Sequence, residues 1–209
     1  MAVDSAYATP EEYRKAFKGV SSENDIEVTS DLAAVARFIE QRCGRFFNVD
    51  ASDVTRVYVA GERPSVIQAG GAEMVIDDLV SLTTIKVDTD ADGSFSDETA
   101  WAATDYELLP RNALLGSEAQ PYTSIGVPPW SLQSGFAAGD RVQVVGKFGW
   151  PAVPKAVKLA NLRLCSMLRG ESTFATDRVV EGIGVLVESN QVARGIMRDL
   201  VDPYRKWAF

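Results

Sequence analysis

From residue 30 to residue 43 the apolar positions Leu32, Val35, Ala36, Ile39 and Cys43 recur every three or four residues. That spacing gathers side chains on one face of a helix. Thr29 or Ser30 is the expected opening residue, and Gly44 follows the helix where a left-handed conformation is needed. A shorter helix, about 10–17, is predicted upstream: Thr9 caps it, Pro10 suits its first position, and Glu12 completes a capping box. The helical period returns over 154–169, where Val157, Ala160, Leu164 and Leu168 form the stripe, with Leu162 and Met167 beside it. Lys155, Lys158, Arg163 and Arg169 fall on its polar side, and Gly170 ends it. Ser189 is the expected cap of a last short helix, about 190–201, stopped by Asp202-Pro203.

Between the second and third helices the period is two. Thr55–Val59 reads as a strand, Val66-Ile67 as a shorter one, and Arg141–Phe148 as the last of the block. Glu73–Ile76 and Leu79–Val87 read as two strands separated by Asp77-Asp78, and Ala100–Leu108, with Trp101 and Tyr106, as a further strand. Gly61-Glu62, Gly70-Gly71 and Asp92-Gly93 suit the turns of an antiparallel sheet. Pro110 to Gly139 holds Pro121, Pro128 and Pro129 and shows no period. Loops of that length tend to make contacts. The order predicts an α+β fold: a small helical bundle with an antiparallel β insertion over about 54–148, all within a domain spanning 1–170, then an extended C-terminal arm over 171–209.

Composition narrows the function. With 46% hydrophobic and 24% charged residues, the 209-residue chain has enough apolar material for a core. No stretch of membrane-spanning length and apolarity occurs. Met1 to Thr9 lacks the basic stretch and apolar run of a secretory signal, so a cytosol-like compartment is expected unless the chain leaves inside a larger particle. Cys43 and Cys165 fall in apolar helical stretches and read as buried thiols. The absence of histidine removes the commonest general base and metal ligand, which makes an enzyme an unfavoured reading. A net charge of −8 without a Lys/Arg run argues against grip on nucleic acid.

Two places carry candidate chemistry. Asp88, Asp90 and Asp92, followed by Gly93, match the first half of a calcium loop. The match then lapses, because the twelfth position is Thr99 and Glu98 stands one place early. The simpler reading is a hairpin tip between strands, with a Ca²⁺ site as the alternative and no other cofactor indicated. The second place is the C-terminus, where Tyr204, Arg205, Trp207 and Phe209 offer the aromatic and Arg anchors typical of protein interfaces. Paired carboxylates at Asp77-Asp78, Asp97-Glu98 and Glu11-Glu12 read as structural, since neighbours on a strand face opposite ways and Glu11-Glu12 suits a helix start.

Several segments, taken in order, resemble the head-to-tail connector proteins (adaptors, or head-completion proteins) of long-tailed double-stranded DNA bacteriophages. Leu32 to Phe46, with Ile39-Glu40-Gln41-Arg42-Cys43-Gly44-Arg45-Phe46, is similar to the early helix of that family. Asp88 to Tyr106 and Leu108-Leu109-Pro110-Arg111-Asn112 resemble its hairpin and following strand. Val142 to Leu168, through Gly149-Trp150-Pro151, resembles its late strand and helix. The likeness covers roughly residues 30–170. It implies a non-enzymatic virion protein, assembled in the host cytoplasm, that forms a closed ring of about twelve subunits. Its partners would be the portal protein above and stopper or tail proteins below, with double-stranded DNA passing through the channel and no membrane involved. An acidic balance suits a channel that phosphates must traverse without sticking. The 171–209 arm would then reach the portal or a neighbouring adaptor, and truncation at Gly170 would leave a folded subunit. The alternatives are another neck or tail component, such as a stopper or tail terminator, and a calcium-dependent binding module.

Overall fold

The computed structural model describes residues 6–17, 25–61, 67–68, 71–115, 118–170 and 191–206. The fold is α+β and divides into two units: a helical one from residues 1–48 and 153–208, and a sheet unit from residues 49–152.

In the helical unit, α1 spans Pro10–Ala16. Its capping box forms as expected: Thr9 Oγ1 accepts from the Glu12 N–H at 3.2 Å and Glu12 Oε2 accepts from the Thr9 N–H at 3.0 Å. Helix α2 spans Asp25–Cys43, so it begins ahead of the expected Thr29 or Ser30 start. Thr29 does not cap; its hydroxyl donates back to the Asp25 carbonyl at 2.7 Å, as a mid-helix Thr does. Val28, Leu32, Val35, Ala36, Ile39 and Cys43 form the buried face. Helix α3, Lys155–Leu168, lays Val157, Ala160, Leu164 and Cys165 against it. Buried Asn161 donates from Nδ2 to the Leu32 carbonyl at 3.0 Å. Two cations expected on the solvated side of α3 instead tie helices together. Lys158 pairs with Glu12, and Arg169 pairs with Asp31 at 2.8 Å.

Helix α4, Gln191–Ile196, continues through a π-helical turn, Met197–Val201, into a 3₁₀ turn, Asp202–Tyr204. Ala193, Ile196, Met197 and Val201 are buried, and the segment packs on α3 and α2. The Cys43 thiol donates to the Val201 carbonyl at 3.6 Å, Arg42 meets Asp202 at 3.1 Å, and the Lys206 N–H reaches the Cys43 carbonyl at 2.8 Å. Residues 191–206, expected within an extended arm, therefore return to the helical unit, because the apolar face of α4 has to be buried.

The sheet unit contains β1 (Val54–Val59), β2 (Ile67–Gln68), β3 (Gly71–Val87), β4 (Glu107–Leu109), β5 (Tyr122–Gly126) and β6 (Arg141–Phe148). Strand order is β1-β6-β3-β5-β4, with β2 on the start of β3, and every pairing is antiparallel. Tyr58, Met74, Ile76, Leu79, Ile85, Ile125, Val142, Val144 and Phe148 make the core. The entry and exit strands of the unit pair with each other, Val54 opposite Gly146, and just before them the Asp50 N–H donates to the Phe148 carbonyl at 2.9 Å.

Three expectations for this block are corrected. Glu73–Ile76 and Leu79–Val87 belong to one 17-residue strand, not two. Asp77-Asp78 marks a slip in its pairing instead: between Val75 and Leu79 the strand advances four residues while β5 advances two. Further bulges against β6 fall between Leu79 and Ser81 and between Leu82 and Thr84. They change which alternate residues face the core, from Met74 and Ile76 to Ile85 and Val87. The second correction concerns Ala100–Leu108, of which only Glu107–Leu109 is strand. Trp101 keeps one ladder-like bond, N–H to the Ile85 carbonyl at 3.0 Å, and stacks on Phe136 at 5.3 Å. Consequently Asp88–Asp92 is not a hairpin tip, since no strand follows it directly. Third, the stretch from Pro110 to Gly139 contains β5, which is too short to register as a period between Pro121 and Pro128.

Candidate interaction surfaces and an acidic loop

The C-terminal anchors do not behave as a group. Tyr204 is half-buried, its ring edge-on to Phe47 at 5.9 Å. Phe47 in turn meets Tyr7 edge-on at 5.6 Å, and the Tyr7 hydroxyl donates to Glu40 at 2.6 Å while accepting from the Phe47 N–H at 3.2 Å. Burial, reinforced by the hydrogen bond to Glu40, drives the Tyr7 hydroxyl pKa far upward, so it stays a donor. Tyr204 thus closes an aromatic row within its own unit, whereas Arg205 is exposed. Trp207 and Phe209 lie outside the described residues.

Large apolar side chains are exposed elsewhere. Leu132 is 99% exposed and Trp130 68% exposed, both in the loop from β5 to β6. That loop is ordered locally by the Ser131 N–H donating to the Pro128 carbonyl at 2.9 Å and the Gln133 N–H to Ser131 Oγ at 3.1 Å. Leu115, 71% exposed, sits with Leu114 in the loop from β4 to β5. The two loops leave β5 at opposite ends, so the sheet unit presents two separate apolar points. The proline content flagged this region in the sequence; the individual anchors were hidden, because exposure of a Trp or Leu cannot be read without the fold.

The acidic loop after β3 is tightly organised. Asp88 is buried, its side chain 1% exposed. Its Oδ2 accepts from the Gly93 N–H at 3.1 Å and lies 3.7 Å from the Arg141 guanidinium. Asp90 Oδ1 accepts from the Asp92 N–H at 3.2 Å, and Asp92 Oδ1 from the Ser94 N–H at 2.6 Å. Glu98 accepts from the Thr89 N–H at 2.6 Å and its hydroxyl at 2.9 Å, which folds the far end of the loop back on the near end. Oxygens of Asp88, Asp90 and Glu98 lie within 4.8 Å of one another, as do those of Asp90, Asp92 and Asp97. Glu98, out of place in the linear motif, is thereby brought to it.

Asp77 and Asp78 hold the sheet. Asp77 accepts from Arg56 at 2.8 Å and from the Tyr58 hydroxyl at 3.2 Å, and the Arg56 guanidinium lies 4.0 Å from the centre of the Phe148 ring. Asp78 is buried and accepts from the Trp150 indole. Among the described residues no helix is long and apolar enough to cross a membrane.

No family model matches the chain, and neither does any curated protein compared with it. Among solved structures, a chain from the neck of an empty gene transfer agent (GTA) particle, computed with C6 symmetry, is similar, with a TM-score of 0.54 at 18% sequence identity. The match covers 100% of this chain and 95% of that one, so the likeness is one of fold along the whole length.

Proposed function

We propose that this chain is a structural subunit of a phage-like virion neck, forming a ring between the portal and the tail that extends the DNA channel and gives the tail a docking surface. The observation that carries the reading is the whole-length fold likeness to a neck chain. It agrees with the resemblance of residues 30–170 to the phage connectors. A ring needs two different patches on each subunit, because its interfaces are heterologous. The apolar points at Trp130/Leu132 and Leu114/Leu115, at opposite ends of β5, supply such a pair, and a second copy of this chain is their occupant. The sixfold symmetry applied to the GTA neck agrees with a ring of about six or twelve copies. The packed α2–α3 core favours an adaptor over stoppers and tail terminators, which are mainly β. The role is non-enzymatic, with the portal, the stopper or tail proteins and the transiting DNA as neighbours, in the virion after assembly in the host cytoplasm.

The test is electron cryomicroscopy of the chain co-expressed with the portal of its own particle. The expected result is a closed ring of this chain stacked on the portal. A chain that stays monomeric beside intact portals, and is missing from purified particles, would overturn the reading.

A further inference from the structure

We propose that the loop from Asp88 to Glu98 is a calcium-binding site. The acidic residues alone would not establish this. Asp90, Asp92 and Asp97 are exposed, and each hydrogen bond within the loop has an ordinary turn explanation. The independent observation is at Asp88. Its carboxylate is buried, and while Oδ2 is served by the Gly93 N–H and by Arg141, Oδ1 receives no hydrogen bond among the described residues. A buried carboxylate oxygen left without a partner is costly. Asp88 also contributes to the group in which its own oxygen and those of Asp90 and Glu98 lie within 4.8 Å of one another. A cation there would meet the Asp88 carboxylate, which has one unserved oxygen, and two further carboxylates at once.

Charge and chemistry point to the same ligand. Asp88, Asp90, Asp92, Asp97 and Glu98 face two cations, Arg141 beside Asp88 and Lys86, whose ammonium donates to the Phe95 carbonyl at 2.7 Å. A net negative cluster of hard oxygens selects a hard divalent ion. The outer carboxylates of the loop are exposed. This suits the variable six- to eight-oxygen shell of Ca²⁺ better than the strict octahedron of Mg²⁺. Asp88, Asp90 and Glu98 would be the protein ligands, with Asp92 and water completing the shell. A bound ion would clamp the far end of the loop to the end of β3. This site does not depend on the neck assignment.

Calorimetric titration of the full-length, chelator-treated chain with CaCl₂ tests the site, with thermal unfolding in parallel. We expect one Ca²⁺ per chain with a dissociation constant of about 10 µM to 1 mM. We also expect at least tenfold weaker Mg²⁺ binding and a rise in Tm on adding Ca²⁺. The variant Asp90→Asn/Asp92→Asn keeps the side-chain oxygens that order the turn and removes two charges from exposed positions. Its Tm in EDTA should match the parent, and its Ca²⁺ affinity should fall at least tenfold. No heat and no Tm shift up to about 5 mM Ca²⁺, above the weakest range of such sites, would overturn the proposal. So would undiminished binding by the double variant, which would put the ion elsewhere.

Discussion

The Trp150 indole N–H donates to Asp78 Oδ2 at 3.0 Å, joining residues 72 apart in sequence. The Gly149 N–H donates to the carbonyl of the same Asp78 at 2.8 Å. Both bonds fall where β3 slips its register against β5, so the aspartate that disturbs the ladder is held by the chain leaving β6. Trp150→Phe keeps an aromatic ring and removes the donor to a buried carboxylate. We expect the sheet unit to lose roughly 1–3 kcal/mol, read by urea unfolding followed in the far-ultraviolet circular dichroism. An unchanged midpoint would mean the indole bond is dispensable.

Gly146 should tolerate no side chain. A Cβ built there would lie 2.2 Å from the Ser81 carbonyl oxygen and 3.2 Å from Leu82 Cα, both on the bulged part of β3. Backbone cannot yield as a side-chain tip can. Gly146→Ala should cost about 1–3 kcal/mol, visible as a drop in Tm, while Gly195→Ala, with nothing within 4 Å of its Cβ, serves as the control.

The bond from Lys158, aided by the backbone bond from Thr9, holds the Glu12 carboxyl below its ordinary 4.5. A depressed carboxylate pKa stabilises the fold above the unfolded value and stops doing so as pH falls through the folded value. The stability difference between the parent and Glu12→Gln should therefore be full above pH 4.5 and fade below it. Because the Glu12 side chain is 39% exposed, solvent keeps that difference small. Chemical denaturation at a series of pH values would measure it.

Burial pushes the Cys43 thiol up to about 12, and Asp202 adds to the effect. In the folded chain it should resist thiol reagents at pH 8 and react once the chain is denatured. Truncation after Gly170 removes Val201 and Asp202, which cover it. The truncated chain should lose stability and expose Cys43 to rapid labelling. This revises the sequence-based expectation that such a truncation leaves the subunit intact.

Leu132→Asp and Trp130→Ala change side chains that project from the β5–β6 loop. Under the ring reading, Tm should stay within about 2 °C of the parent, as for surface substitutions away from packed groups. Ring formation on the portal should be lost or reduced, as seen by native mass spectrometry or micrographs. Rings of undiminished yield would remove this loop from the subunit interface.

Much of the fold was legible because local rules governed it. The capping box of α1, the apolar faces of α2 and α3, and the alternation in β1 and β6 each depend on neighbours in sequence. The failures came where tertiary partners decided. Trp101 and Tyr106 suggested one strand over 100–108, but Trp101 stacks on Phe136 and only Glu107–Leu109 pairs as a strand. Tyr122–Gly126 became a strand because β3 and β4 flank it, not because its own pattern demanded one. In the acidic loop the first three carboxylates stood out at alternate positions. Glu98 stood one place early in that pattern, and its approach to the others depends on the hydrogen bonds to Thr89 across the loop. Tyr204 was expected to anchor a neighbouring subunit, and in the described chain its ring meets Phe47 of its own unit.

The pairing of β1 with β6 also bears on the order in which the chain can fold. Helices α2 and α3 must meet across the intervening residues 49–152, and closing so long a loop is entropically costly. Once Val54 faces Gly146 and Asp50 holds Phe148, that span is cinched at its base, and α3 is delivered to α2 as if the two were near neighbours. Sheet pairing thus reduces the loop-closure cost of bringing α3 to α2, so the two units are coupled through chain entropy.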